Sequence, residues 1–414
     1  MRCVNTNNQT PHSAIVNEYK PASPYKNLKR LSYIERNLKF RVPHGGPDSP
    51  FMYGLGELEI PLLAAFDDFA WLSIRTHMPP FYSVRSNRGV TAQPNSLWFR
   101  AAGKLAHHYS SIRRIAGGFD PATPAARQLA YAPHLALLME LFFKHSVRFC
   151  ERRNDVVDDG SGRIAAEVYN DFVAEFRKAI MARNLLRREL HSWGLSSQEN
   201  ATNLHAYLHG LFAKHGNLTV VHLRLLHTRE RSAVSLAPVE DQLRELNALR
   251  KARTVFFDRM RRKPALFTTD PAYVWSILPS LEGAYDLHLT LLFSTVALRK
   301  VHDDKRAEAE QFGTVQRDHA DQVGEYWVER ATGGRGHYLR GDANPLLYGP
   351  DWVHGEVSAD DVGKREKLKE TLGYLAMRRA LVRLKGEPPG EYFGMREREA
   401  RRPRRSVHSG EKAG

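Results

Sequence analysis

The stretch AYDLHLTLLF, residues 284–293, has the alternation of a strand. Successive side chains on a strand point to opposite faces. Leu287, Leu289 and Leu291 therefore share one face, and Asp286, His288 and Thr290 share the other. Upstream, AYVWSIL (272–278) has strand composition, and the turn-like PSLEG joins it to the first stretch. Further upstream, NLTVVHLRLLH (217–227) is a third strand candidate with mixed alternation. Residues 238–263 are spaced as an amphipathic helix, begun near Ser235 and Pro238 and stopped by Pro264. Downstream, 302–331 reads as a charged helix ending at Gly333-Gly334. NPLLYGPDWVHGEV (344–357) supplies a short strand, and 361–384 form a last helix ended by Gly386 to Gly390.

The order over 217–384 is thus β-α-β-β-α-β-α. The expected fold class is α+β: a ferredoxin-like antiparallel palm preceded by a mostly helical N-terminal region. Helices are expected on one face of the sheet, with the other face free for a site.

Before the palm, residues 125–192 carry a helical pattern broken by DDGSGR. Ile164, Val168, Phe172, Phe176 and Ile180 recur at four-residue steps, a core-facing stripe. Trp193-Gly194 is expected to end that helix. Ser196 with Glu199 forms a capping box for the next, which runs to about Lys214 and stops at His215-Gly216. Residues 1–50 are polar and rich in Asn, Pro and Lys, an irregular arm, and 51–120 mix short apolar runs with Pro and Gly. The expected organisation is an arm and accessory region over 1–124, a helical region over 125–215, the palm over 216–395 and a disordered basic tail over 396–414.

Hydrophobic content of 42% across 414 residues excludes a mostly disordered chain. No apolar run reaches the roughly 18–20 residues needed to span a bilayer. The start, MRCVNTNNQTPHS, lacks the apolar core of a secretory signal. Two cysteines, Cys3 and Cys150, exclude a disulfide framework or a Cys-rich zinc site, and Cys150 closes an apolar helical stretch as packing. A cytoplasmic location is expected, with no membrane partner. The 61 Lys and Arg exceed the 46 Asp and Glu, a formal charge of +15. That excess points to an anionic partner, nucleic acid first.

Asp286 and His288, two apart on one strand face, present an oxygen and an imidazole ligand of the kind that suits a divalent ion such as Mg, Mn or Zn. A third ligand must come from elsewhere, and His222, Glu282 and His354 are candidates by reach. The polar face of an ordinary sheet shows the same pattern. Tyr374 lies in the helical stretch KETLGYLAMRRALVR. A helical tyrosine acts as a covalent nucleophile when a metal polarises the group it attacks, although most helical tyrosines are packing residues. Arg378 and Arg379 follow by about one turn, in reach of a phosphate near that hydroxyl. Arg335, His337, Tyr338 and Arg340 cluster in a Gly-rich segment expected to be a loop, suited to following a DNA backbone and stacking a base on Tyr338. The tail from Arg396 to Arg405 contains six Arg and adds salt-sensitive, non-specific affinity.

These residues carry a resemblance. The passage NLHAYLHGLFAKHGNLTVVHLRLL, the segments PAYVWSI and AYDLHLTLLF, then EYWVER, YLAM and EYFGMR, recur in one order over roughly 130–396. In this the chain resembles the inovirus-type gene-two replication proteins and the related YagK/YfjJ C-terminal-domain family. The resemblance implies an HUH-like rolling-circle initiator of a phage or integrated element. Such a protein nicks origin DNA through a tyrosine, leaving a 5′-phosphotyrosine link and a free 3′-hydroxyl that primes host polymerase. It also implies a divalent metal, Mg or Mn, on the scissile phosphate, and host replication proteins as partners. His288 matches the second histidine of the family's His-x-His strand, and Tyr374 the nucleophile. Asp286 stands at the first histidine position, and a carboxylate there still suits a hard metal. Met377 stands where the family has Lys, and Arg378 projects about 100° further round the helix. His222 and Arg224 stand where the family's first strand offers Arg and Asp. A catalytically degenerate DNA-binding or regulatory protein on the same fold is the alternative implied by these differences.

Overall fold

The structure is a computed structural model that describes residues 60–396, except 88, 96–99, 121–128, 159, 183–185, 229–238, 280–284, 314–316 and 343–351. The polar arm over 1–50, Glu282, the PSLEG turn apart from Pro279, the start near Ser235 and Pro238, and the arginine tail beyond Arg396 lie outside the described residues.

The chain begins with helix α1 (Ile60–Arg75), the hairpin β1 (Phe81–Ser86) and β2 (Gly89–Pro94), and helix α2 (Arg100–His107). Strand β3 (Leu129–Tyr131), helix α3 (Pro133–Lys144) and helix α4 (Ala165–Ala182) follow. The four-residue stripe behaves as its spacing predicts: Val168, Phe172 and Phe176 are buried, and Phe69 of α1 stacks on Phe172 with ring centroids 6.3 Å apart. Helix α5 (Leu186–His215) then runs 30 residues without a break. The end expected at Trp193-Gly194 is overturned, so Ser196 and Glu199 lie inside the helix rather than at a cap. A helix-interior glycine costs only about 1 kcal/mol. Here Trp193 is anchored from outside, because its indole N–H donates to the Ala380 carbonyl at 2.9 Å and Arg383 lies over its ring at 4.2 Å.

Beyond α5 lie β4 (Asn217–Leu226), α6 (Val239–Met260), β5 (Ala272–Pro279), β6 (Tyr285–Ser294), α7 (Thr295–Phe312) and α8 (His319–Tyr326). The chain closes with β7 (His337–Arg340), β8 (Gly355–Ser358), α9 (Val362–Met377), β9 (Val382–Leu384) and β10 (Phe393–Met395). The protein is α+β with antiparallel sheets. The main sheet has the order β10-β5-β6-β4-β7, and β8 pairs with the other end of β4. Register places His288 opposite both Arg224 and Ser276, and Thr290 opposite both His222 and Val274.

Three expectations for element boundaries change. The single helix expected over 302–331 is two, because Gly313 takes a left-handed φ of 64° and ends α7, while Asp318 caps α8 by accepting from the Ala320 N–H. The helix expected to reach 384 ends at Met377, and β9 pairs instead with β3, tying the helical region to the C-terminal segment. The Gly-rich segment around 335–340 contains an edge strand, β7, rather than being a loop throughout.

Both faces of the sheet are covered. The leucine face receives α6, where Phe257 stacks on Tyr273 at 4.3 Å, and the Trp327 indole donates to the Leu226 carbonyl. The face expected to be free lies under α9: the Ser276 hydroxyl donates to the Leu375 carbonyl at 3.3 Å. Every residue of β6 from Tyr285 to Phe293 is buried. Among the described residues no helix is long and apolar enough to cross a membrane.

Candidate functional site

Pleating puts Asp286, His288 and Thr290 of β6 beside Arg224 and His222 of β4 on the α9 side of the sheet. All five are at most 6% exposed. Burial of so many polar groups is tolerable only with partners. Arg224 supplies one: its Nε donates to Asp286 Oδ2 at 2.6 Å, and a second guanidinium nitrogen, Nη2, reaches the same oxygen. His222 is held at both ring nitrogens, 2.6 Å from Thr290 Oγ1 and 3.0 Å from the Val353 carbonyl. A carbonyl can only accept, so Nε2 carries the proton and Nδ1 accepts from the Thr290 hydroxyl. Burial, then the neighbouring His354, holds the His222 pKa well below the ordinary imidazole value, so the ring is neutral. The His354 ring stands edge-on to it at 5.4 Å.

This arrangement is poor for a divalent ion. The Asp286 oxygen faces a guanidinium, and the Nδ1 lone pair of His222 is already engaged. Among the described residues no group of three or more His, Cys, Asp or Glu side chains is placed to hold a metal. The residues present do not fit the metal that the sequence resemblance implies.

Tyr374 belongs to the last turn of α9, which packs on the same side. It precedes Leu375, whose carbonyl accepts from Ser276, the cross-strand partner of His288. Tyr374 is 1% exposed, and its hydroxyl has no hydrogen-bond partner among the described residues. Arg378, in the turn after α9, is also buried. Asp286, His288 and His222 thus share one face of the sheet, and α9 packs over it.

The residues singled out around β7 lie on the edge strand beside β4, at the far edge of the sheet from β10. Tyr338 packs on Gly324 so closely that a Cβ there would fall 2.2 Å from its ring, and its hydroxyl donates to Asp321 at 3.2 Å. Arg340 bridges the carboxylates of Asp318 (3.0 Å), Asp321 (2.6 Å) and Asp342 (2.8 Å). His337 is half-buried, and only Arg335 of the four is exposed.

A second feature escapes the sequence. A groove of about 2270 Å³ opens at the β5–β10 edge, between α5, α6 and residues 384–396. Arginines line it against aromatic rings: Arg253 lies over Trp275 at 4.0 Å, and Arg379 over Tyr392 at 3.5 Å. Their signal in the chain is slight: Arg250 and Arg253 are spaced for one face of α6, while Arg379 and Arg383 lie beyond α9. Nothing local says that the two pairs meet. No family model, curated protein or solved structure matches the chain.

Proposed function

We propose that the chain is a DNA-binding protein of the replication-initiator kind, acting in the cytoplasm on a ferredoxin-like palm that binds DNA without cutting it. The strand order supports the palm reading: β5-β6-β4-β8 has the strands of a β-α-β-β-α-β unit in the order second, third, first, fourth. The charge of +15 supports a polyanionic partner. One observation carries the non-cutting reading: the buried Arg224–Asp286 pair fills the position where the resemblance expects a metal ligand. The carboxylate paired with Arg224, beside an engaged His222, serves structure in this reading.

A second reading, nicking through Tyr374 at a phage-type origin with host replication proteins as partners, draws on the buried Tyr374 hydroxyl, which has no hydrogen-bond partner among the described residues. One experiment separates the two. The purified chain is mixed with supercoiled DNA and Mg or Mn, and DNA retention is measured at two salt concentrations. Retention that falls steeply with salt, with no relaxed or covalently linked DNA, is expected. Relaxed DNA that disappears in Tyr374→Phe establishes the nicking reading instead. Absence of salt-dependent retention removes both.

A further inference from the structure

The guanidinium groups of Arg253, Arg379 and Arg383 line the groove on the β5–β10 edge, and that of Arg250 adjoins it across Tyr392. Arg250 and Arg379 both lie over the Tyr392 ring, at 4.5 and 3.5 Å, and Arg253 lies over Trp275. Arg383 is adjacent, its Nε donating to the Arg379 carbonyl at 3.1 Å. Two carboxylates face them, Glu387 on Arg379 and Glu391 on Arg253 at 3.7 Å. Two positive charges remain in excess. Arg253 and Arg379 have side chains only 15% exposed. Burial, reinforced by the Arg250 charge and opposed by Glu391, lowers the Arg253 pKa from its ordinary value.

Buried donors are also left over. Nε and Nη2 of Arg250, Nη1 of Arg253 and Nη1 of Arg379 have no hydrogen-bond partner among the described residues. Stacking on an aromatic ring occupies the faces of a guanidinium and leaves its in-plane N–H groups free to bond. All four nitrogens are covered by protein atoms, and a water that reached them would leave the charge in place. An oxyanion there would offset it, and a tetrahedral phosphate has the oxygens to accept from several guanidinium groups together.

We propose that this arginine cluster is a phosphate-binding site, taking a phosphate monoester or diester with Arg250, Arg253 and Arg379 as its donors. The site stands on guanidinium placement and does not depend on the DNA-binding reading. The phosphate belongs either to a nucleic-acid backbone or to a free phosphate or phosphate ester.

The full-length chain is titrated calorimetrically with sodium phosphate, against sodium chloride of equal ionic strength. Saturable phosphate binding is expected, weakened about tenfold or more in Arg253→Gln and Arg379→Gln, because charge-assisted hydrogen bonds are lost. Phosphate that binds no better than chloride, or variants that bind like the wild type, overturns the proposal. Because Arg379→Gln releases Glu387, the wild-type chain is also modified with phenylglyoxal and mapped by mass spectrometry. Phosphate is expected to protect Arg253 and Arg379 but not the exposed Arg306; equal labelling with and without phosphate overturns the proposal independently of any variant. A short single-stranded oligonucleotide distinguishes the sources. If phosphate displaces it and the variants weaken it, the site takes backbone phosphates. If the variants lose phosphate but keep the oligonucleotide, the site takes the free ligand. Phosphate binding without any oligonucleotide binding leaves this site standing and removes the DNA reading.

Discussion

Arg224 and Asp286 are each at most 2% exposed, so the pair gives up hydration on both sides. Desolvation of two charges costs several kcal/mol each, and mutual attraction returns it only while both are present. Arg224→Met or Asp286→Asn alone is therefore expected to destabilise the fold by about 3–5 kcal/mol. The double change Arg224→Met with Asp286→Leu is expected to cost much less than the sum. Urea midpoints of the four proteins measure the coupling, and additive losses would show that the pair does not act as a unit. Tyr374 poses the opposite case. Its buried hydroxyl has no partner among the described residues, so Tyr374→Phe is expected to leave stability unchanged or raise it by about 1 kcal/mol. Tyr169 is a matched control: it is also buried, but its hydroxyl donates to the Leu105 carbonyl at 2.8 Å. Tyr169→Phe is expected to lose about 1 kcal/mol. Equal losses at the two positions would place an acceptor beside Tyr374.

At the scale of elements, glycines distinguish tolerance from necessity. Gly210 sits inside α5 with open space where a Cβ would go, so Gly210→Ala is expected to stabilise by about 1 kcal/mol through helix propensity. Gly324 sits inside α8 with the Tyr338 ring 2.2 Å from that position, so Gly324→Ala must displace Tyr338 and the β7 edge. Thermal unfolding is expected to move in opposite directions for the two. The same contrast explains which elements were legible in the sequence. β4, β5 and β6 have long runs whose apolar residues announce a strand locally, and their observed bounds differ from the expected ones by a residue at most. β7 and β9 have four and three residues, too few for a period, and they exist because distant segments, β4 and β3, offer paired edges. At the site, the shared face of Asp286 and His288 followed from pleating alone. The Arg224–Asp286 pair required the register of β4 against β6, and the cover over that face required the position of α9. Neither is written in any local window.

The molecule as a whole carries its histidines as a stability switch. His222 is neutral by burial, and His319 is pushed down to about 3, by burial first, then by Lys305 and His302, against Asp318. In the unfolded chain both return to about 6.5. Below that value the unfolded state binds protons that the folded state refuses, so unfolding free energy rises with pH through this window and levels off above about 7. His319 contributes about 1.4 kcal/mol per pH unit between about pH 6 and 4.5, and His222, with the other histidines that burial lowers (His145, His205, His215, His227, His302 and His354), adds to the same slope. Asp68 and Asp342, held below their usual carboxylate range by His108 and Arg340, add their losses only at lower pH. The formal charge of +15 grows further as histidines protonate, and that self-repulsion pushes in the same direction, but salt screens it. Urea midpoints at pH 7.5, 6.5, 5.5 and 4.5, taken in 0.3 M salt, isolate the buried groups. His319→Phe keeps a ring against Phe293 and removes one of these proton sites. It is expected to match or exceed the wild type at pH 5.5 and to reduce the slope by about 1.4 kcal/mol per unit. An unchanged slope would mean that His319 is protonated in the folded protein, with a counter-charge that the packing around Lys305 and Asp318 does not supply.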